Sequence, residues 1–244
     1  MELTVTPDTG YVLDKLLLVY EGTEVAIAPD TNGKFTVAMP ESQNGAEIKA
    51  TFKVAGTEVV GDYVYVITNP MTDGTGTVTL TGLANPVTAV SIPAEVEING
   101  ITYKVNRIGA KAFYGNKSIT TLSIGANVVI IDAYAFYACS NLTKVTGGNR
   151  VQTIGTSAFA YCSKLSSFTI TSAALKKIGN YAFNKDKKLK TIYIKYTTKL
   201  TKSGVKKSLK GSSVKTVKVK KSKVKKYKKY FKKSNSGRKV KVKK

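Results

Sequence analysis

Few side chains in this chain of 244 residues have the types and spacing that acid–base or nucleophilic chemistry requires. Histidine is absent, which removes Ser-His-Asp and Cys-His catalysis and the commonest ligand of transition metals. The two cysteines do not form the Cys-x-x-Cys pair of a zinc site. Acids such as Asp132 and Asp186 are isolated from other acids. The sequence therefore predicts a protein that is not an enzyme and that uses no cofactor and no metal.

The two cysteines, Cys139 and Cys162, occupy the same position in two copies of a repeat described below. One interpretation is a disulfide or a reactive thiol pair. The other is a column of two small buried residues, because free cysteine behaves as a small apolar side chain. The sequence favours the column and leaves the bonding open.

Lysine dominates the charge of the second part of the chain. Residues 1–170 contain 11 Lys and Arg against 14 Asp and Glu, a net charge of −3, whereas residues 171–244 contain 28 basic residues and one acid, a net charge of +27. The chain has three Arg and 36 Lys, and readout of base edges favours arginine, which can bind bidentately, so no specific nucleic-acid partner is expected. Attraction to a polyanion fits the lysines, and so does a solvated basic cap that prevents edge-to-edge pairing of sheets.

Seven apolar–polar–apolar triplets recur along the chain with start-to-start spacings of 32, 23, 23, 24, 25 and 23 residues. The triplets start at Val90, Leu122, Val145, Phe168, Ile192, Val217 and Val240. Alternation predicts short strands whose outer two residues point inward. One unit cannot bury its apolar side alone, but stacked units can, which predicts a solenoid with a parallel ladder on one face. The last triplet, Val240–Val242, predicts that the lysine-rich end is a folded final coil.

Between the triplets the chain repeats the pattern V-x-x-I-G-x-x-A-F. The glycine of this pattern, replaced once by Asp132, is expected in a turn with positive φ. The phenylalanines are expected to fill the interior of the coil, and they are Phe113, Phe136, Phe159 and Phe183.

The segments "IGAKAF", "IDAYAF", "IGTSAF" and "IGNYAF", with "FYACSNL" and "AYCSKL", resemble the BspA-type leucine-rich repeats of bacterial surface proteins. The resemblance covers roughly residues 57–244 and implies a mainly β, right-handed leucine-rich-repeat-like solenoid. It also implies a secreted or cell-surface location and adhesion to host proteins or to other bacteria. After Leu200 the Ala-Phe pair is lost, as in many terminal repeats.

Two domains are predicted. Residues 1–53 alternate apolar and polar residues between turn-forming pairs, which indicates about five short strands of a small β-sandwich-like or surface-repeat module preceding the solenoid. Residues 54–244 form the solenoid, with an N-terminal cap at about 54–104 that includes strands in "DYVYVIT" and "GTVTLTGL", and a lysine-rich C-terminal cap at about 220–244.

Apolar residues at helical spacing in the C-terminal cap predict an amphipathic helix, and they are Val224, Tyr227, Tyr230 and Phe231. The helix either closes the open end of the solenoid or lies on a membrane surface, and the resumed ladder triplet favours closure. No run of 18 apolar residues is present, so no transmembrane segment is expected. A secretory signal peptide, absent from the first residues, is expected to lie outside this chain or to have been removed.

Two surfaces are candidate binding sites. The candidate ligand face on the strands consists of Thr146, Thr169, Thr191, Tyr193, Lys218 and Lys241. The candidate tyrosine ridge consists of Tyr114, Tyr137 and Tyr161. Each has a simpler interpretation, because threonine suits any exposed strand and the tyrosines also fit as half-buried packing around a turn.

These patterns predict a monomeric, non-enzymatic bacterial protein, secreted or attached to the cell surface, that binds through its solenoid. Its expected partners are host extracellular proteins, glycans or other cells. The alternative is an envelope scaffold or spacer that docks on anionic cell-wall polymers through its lysine-rich C-terminal coils.

Overall fold

The computed structural model describes residues 2–3, 11–20, 23–28, 35–36, 46–54, 56–71, 74–196 and 198–244. In that part of the chain, strands far outnumber helices, and the strands lie in four sheets.

The described part of the first 54 residues contains five strands: β1 (Glu2–Leu3), β2 (Tyr11–Tyr20), β3 (Thr23–Ala26), β4 (Phe35–Thr36) and β5 (Glu47–Val54). Strand β2 is the centre of an antiparallel sheet with order β3-β2-β5, and β1 pairs with β4. Strands β2 and β5 are longer than the short strands that the sequence predicts. The turn-forming pairs between these strands lie outside the described residues.

The segment that precedes the repeats extends one sheet of the solenoid. Strands β6 (Thr57–Val60), β7 (Tyr63–Asn69) and β8 (Thr77–Leu83) pair antiparallel in sequence order. Strand β8 then pairs parallel to β11 (Ile101–Ile108), which also forms a hairpin with β10 (Glu95–Ile98). The two stretches expected as strands here are β7 and β8, and their inward residues continue the core of the coils.

A ladder sheet of seven parallel strands runs the length of the repeats. Its strands are β9 (Ala89–Ser91), β12 (Thr121–Ile124), β14 (Lys144–Gly147), β16 (Ser167–Ile170), β18 (Thr191–Ile194), β19 (Thr216–Val219) and β20 (Lys241–Lys243). Each of the seven predicted triplets overlaps a strand of this sheet, although Ile92 and Val240 lie just outside β9 and β20. The mainly β, leucine-rich-repeat-like fold predicted from the sequence is therefore confirmed.

A second sheet runs beside the ladder sheet, and the sequence gives no sign of it. It continues from β11 through β13 (Ile130–Ile131), β15 (Thr153–Ile154) and β17 (Lys177–Ile178), all parallel. Each of these strands has two residues, too short to show an alternating pattern. The single ladder predicted is thus incomplete, because each of these coils contributes to two sheets.

The repeated phenylalanines form a file inside the solenoid, as predicted. Phe113, Phe136, Phe159 and Phe183 are buried. Successive rings stack nearly parallel, with centroids 4.8, 5.2 and 6.1 Å apart. In the next coil the buried Leu209 takes the place of the phenylalanine. Like each phenylalanine, it lies two residues after a residue at positive φ, here Lys207. The file therefore continues into the lysine-rich part of the chain.

The glycine of the repeat has a different role from the one predicted. Gly109, Gly155 and Gly179 do not lie at positive φ. A Cβ on Gly179 would lie 2.5 Å from backbone atoms of Gly155 and Thr156, and a Cβ on Gly155 would meet the backbone of Asp132 equally closely. Glycine is therefore required at Gly155 and Gly179, because the backbones of successive coils approach each other there. Positive φ occurs instead two residues before and two residues after the phenylalanine position, as at Tyr134 and Ala138.

The lysine-rich end is folded. Helix α1 (Val224–Tyr230) and the short helix α2 (Lys233–Ser236) precede β20. Tyr227 and Phe231 are buried, and the Tyr227 hydroxyl lies 2.6 Å from Thr198 Oγ1. Val224 and Tyr230 beside them are half-buried, so the apolar side of α1 faces the solenoid, which supports closure of the solenoid over the membrane alternative. No helix in the described ranges is long and apolar enough to cross a bilayer.

Candidate binding surfaces

The outward row of the ladder sheet carries the middle residue of each of the first six triplets and ends at Lys243. Thr169 pairs with Tyr193, and Tyr193 pairs with Lys218. Ser123 and Thr146 precede them in the row and pair with each other. Thr146 Oγ1 also donates to Leu122 O at 3.4 Å. The predicted residues of the ligand face that belong to this row are thus brought side by side, in the order hydroxyl, aromatic ring and ammonium group.

A flanking row lies on the same strands, two residues earlier. Thr191 belongs to this row and pairs with Thr216. Thr216 pairs with Lys241, so Lys241 also belongs to the flanking row, whereas the sequence placed it beside Lys218. Lys218 pairs with Lys243 instead. Valine and lysine alternate in "VKVKK", so a strand shifted by two residues against its neighbour still has its lysines outward. Alternation alone therefore could not fix the register of β20.

Two lysine–tyrosine pairs lie at the lysine-rich end of the ladder sheet. Lys218 Nζ lies 5.4 Å from the ring centroid of Tyr193, and Lys195 Nζ lies 5.5 Å from that of Tyr196. The tyrosines are 41% and 46% exposed. An ammonium group at this distance is attracted to the electron-rich ring face. Each pair therefore presents a charge and an apolar ring together to solvent.

Positive charge around these pairs is not balanced by acids. Residues 187–244 contain 25 Lys and Arg and no Asp or Glu. The nearest acid in sequence, Asp186, is fully buried, and burial raises the pKa of its carboxyl well above the usual range. Its side chain is thus kept out of the solvent that the lysines face. The charged side chains that residues 187–244 contribute to the surface are therefore all basic.

The tyrosine ridge lies on the turns that carry the repeated phenylalanines. Tyr114 stacks on Tyr137 with centroids 4.9 Å apart, and Tyr137 contacts Tyr161 at 5.0 Å. Tyr114 and Tyr161 are 52% and 43% exposed, whereas Tyr137 between them is half-buried. Tyr134, which the sequence interpretation missed, joins the ridge edge-on to Tyr137 at 5.7 Å. Its only signal was a position two residues before a repeated phenylalanine.

The hydroxyl of Tyr137 has a raised pKa because of desolvation first, and then because of the neighbouring hydroxyls of Tyr161 and Tyr114 and a hydrogen bond with Tyr161. The Tyr137 hydroxyl therefore keeps its proton at physiological pH, and the ridge offers ring surface with hydroxyl edges.

Cys139 and Cys162 are free thiols, both buried. Cys139 Sγ donates to Phe113 O and Cys162 Sγ donates to Phe136 O, each at 3.1 Å, so each thiol binds the coil before its own. Burial raises the pKa of the Cys139 thiol to about 12 and that of Cys162 well above its ordinary value. The structure thus supports the interpretation of a buried column.

Asp132, one of the isolated acids, forms an ion pair with Arg107 of the preceding coil, with 2.9 Å between Arg107 Nη1 and both carboxylate oxygens. Among the described residues, no three His, Cys, Asp or Glu side chains lie together where they could hold a metal ion.

The fold defines a class, that of leucine-rich-repeat solenoids. The family model "BspA type Leucine rich repeat region" matches residues 106–237 in six copies. The chain belongs to this family. Membership indicates a general role in binding. A search of curated proteins found no match.

Several solved bacterial proteins are similar to the chain. A leucine-rich repeat protein from Bacteroides capillosus is 31% identical, with a TM-score of 0.45 over 56% of this chain and 96% of that one. A leucine-rich cell surface protein from Faecalibacterium prausnitzii is 22% identical, with a TM-score of 0.46 over 68% of this chain and 45% of that one. The leucine-rich repeat protein of T. pallidum, 22% identical with a TM-score of 0.50, matches 58% of this chain and 63% of that one, and supports the fold.

Proposed function

We propose that this protein is a non-enzymatic binding protein of the bacterial cell surface or the secreted fraction, and that its ladder sheet holds host extracellular proteins, glycans or other cells. The observation that supports this proposal is the outward row, in which the exposed Tyr193 stands in line with the half-buried Thr146, Thr169 and Lys218 on one sheet. Repeat proteins use extended faces of this kind for recognition. The surface location rests on the family, whose repeats occur in bacterial surface proteins.

The tyrosine ridge is a second contact surface in this proposal. Exposed tyrosines with their rings held in place lose little entropy on binding and are frequent at interface hot spots. Stacking between Tyr114 and Tyr137 holds both rings before any partner arrives.

The test is binding of the intact chain to an array of extracellular matrix proteins, glycans and bacterial cells at physiological salt. One variant combines Thr169→Ala with Tyr193→Ala on the ladder sheet, and another combines Tyr114→Ala with Tyr161→Ala on the ridge. The control combines Thr153→Ala with Lys177→Ala on the second sheet. We expect the ladder variant to lose binding and the control to keep it. Absence of any binding by the intact chain would contradict the proposal.

The alternative function, docking on anionic cell-wall polymers, is favoured by one observation: residues 187–244 contain 25 basic residues and no Asp or Glu. Such binding weakens steeply as salt screens the charges. A salt-titrated pull-down with purified wall polymer and with host matrix proteins separates the two functions. The wall function predicts retention by the polymer alone, with loss at high salt.

A further inference from the structure

We propose that the lysine-rich end of the ladder sheet is a binding site for an anionic polysaccharide, meaning a sugar polymer that carries sulfate or carboxylate groups. The site consists of Tyr193, Lys195, Tyr196, Lys218, Lys241 and Lys243. This inference rests on the proposed function and names the ligand class of the same sheet.

Charge is the first part of the argument. Lys218 and Lys243 are paired neighbours on adjacent strands, and Lys241 precedes Lys243 by two residues on the same strand. Neighbouring strands of a sheet are about 4.8 Å apart, so the ammonium groups form a closely spaced field. Because no acid occurs in residues 187–244, this field is available to an external anion. A ligand with regularly spaced negative groups complements it.

The aromatic rings decide between kinds of polyanion. A charge-only site for a phosphate polymer has no use for exposed rings, yet Tyr193 and Tyr196 present large exposed surfaces directly beside lysines. One face of a sugar ring is a patch of C–H groups, which packs on an aromatic ring, while the tyrosine hydroxyl hydrogen-bonds the rim. The lysine over each ring then meets the sulfate or carboxylate that the same sugar carries.

The rest of the outward row extends the site toward the N-terminal coils. Thr169 pairs with Tyr193, and Thr146 lies one strand further on. From Thr146 to Lys243 the row crosses four strand spacings, about 19 Å. A polymer lying along the row meets hydroxyl groups, then a ring, then ammonium groups. The site therefore fits a chain of several sugars better than a single small anion.

Lysine instead of arginine agrees with this ligand. Lysine is a mobile point charge, which suits sulfate and carboxylate groups at variable positions, whereas arginine suits fixed bidentate pairing. The surrounding lysines of α1 steer the polymer toward the sheet without contacting its sugars.

The experiment compares three probes on the full chain: heparin, chemically desulfated heparin and inorganic polyphosphate of matched charge. Affinity is measured by calorimetry or surface binding between about 50 and 300 mM salt. We expect heparin to bind more tightly than polyphosphate. Desulfated heparin, with its carboxylates remaining, is expected to bind more weakly than heparin but still to depend on Tyr193.

Variants separate ring contact from charge. Tyr193→Ala is expected to weaken heparin binding about five-fold, leaving the salt dependence unchanged, and Tyr193→Phe is expected to retain most of the affinity. The pair Lys218→Gln with Lys243→Gln should reduce the slope of log affinity against log salt by about two. The matched control, Lys225→Gln with Lys229→Gln on α1, removes the same charge from outside the site and should change the slope much less. Thermal unfolding checks that each variant is folded.

The inference is overturned if polyphosphate binds as tightly as heparin and Tyr193→Ala has no effect, because the surface is then a charge field alone. It is also overturned if the α1 control and the sheet pair lose affinity equally. If no polyanion binds but the array of proteins and cells does, the polysaccharide site is wrong and the general binding function stands. If nothing in either experiment binds, both are wrong.

Discussion

The ring of Phe159 lies between those of Phe136 and Phe183, stacked at 5.2 Å on one side and 6.1 Å on the other, with all three planes within 10° of parallel to their neighbours. Phe168 of the ladder sheet also meets Phe159 edge-on at 4.9 Å. One ring thus joins three successive coils and the ladder sheet, so the stack is cooperative at this position.

Phe159→Ala is expected to lower the free energy of unfolding by about 3–5 kcal/mol, because it removes a fully buried ring and leaves a cavity. Urea unfolding followed by circular dichroism measures the loss. The comparison variant is Tyr193→Ala, whose ring is largely exposed and whose cost is expected to be below about 1 kcal/mol. Equal costs for the two variants would place Phe159 outside the core.

Gly179→Ala is expected to destabilise the solenoid by about 1–3 kcal/mol, because the new Cβ would meet backbone atoms of the preceding coil, which cannot move aside. Gly82→Ala is the matched control: its Cβ would find only Ala112 O, at an ordinary 3.5 Å. Thermal unfolding measures the melting temperature of both variants, and only that of Gly179→Ala is expected to fall. If both melt like the unchanged protein, close approach of coils does not explain the repeated glycine.

The thiols of Cys139 and Cys162 are expected to be unreactive in the folded protein. Only thiolate attacks a disulfide reagent, and burial raises the pKa of Cys139 to about 12, so almost no thiolate exists at pH 8. A chromogenic aromatic disulfide should label neither cysteine in buffer and both in denaturant. A reducing agent should leave the melting temperature unchanged. Rapid labelling of the folded protein, or a shift on reduction, would contradict the buried column.

Asp186→Asn is expected to change how stability depends on pH. Asp186 Oδ1 accepts a hydrogen bond from the Cys162 backbone N–H at 2.9 Å, and Oδ2 has no partner among the described residues. Because burial raises the carboxyl pKa, the folded protein keeps a proton that the unfolded chain has released above about pH 4. The contribution of the Asp186 carboxyl to the free energy of unfolding is therefore complete below about pH 4 and declines as the pH rises toward the pKa of the folded protein.

The measurement is the free energy of unfolding between pH 4 and 7 for both proteins. As the pH rises, the free energy of unfolding of Asp186→Asn, relative to that of the unchanged protein, should increase by up to about 1.4 kcal/mol for each pH unit. Parallel curves would show that Asp186 is ionised in the folded protein.

The sequence alone predicted the parts of the fold that repeat with strong patterns. Triplet spacing identified all seven ladder strands, and the buried position of Phe113 and its equivalents followed from the need to fill each coil. These predictions succeeded because burial imposes the same residue type at the same position in every coil.

The parts that the sequence could not predict depend on contacts between coils. The second sheet is built from pairs such as Ile130–Ile131, whose partners are fixed only by stacking. The register of β20 allowed a shift of two residues, which misplaced Lys241. The role of the repeated glycine was misread because a close approach between backbones leaves no mark in one coil's sequence.

The candidate site was predictable in outline only. Tyr193 was identified as a large residue on an exposed strand, but its pairing with Lys218 required the strand register. Tyr134 was missed because its repeat position holds Lys111 and Ser157 in the neighbouring coils, so no recurring residue type marks it.

Amide hydrogen exchange of strands β19 and β20 tests most directly whether the cationic stretch is the last part of the stack. The Lys241 amide donates to Lys215 O at 2.9 Å, and the Lys215 amide donates to Lys190 O at 2.8 Å. We expect the amides of residues 215–219 to exchange at least a hundred-fold more slowly than an unfolded chain, and Lys241 to be clearly protected too. Exchange of all these amides at the unfolded rate would show that residues 215–243 do not form coils, and would remove the basis of the lysine-bearing face.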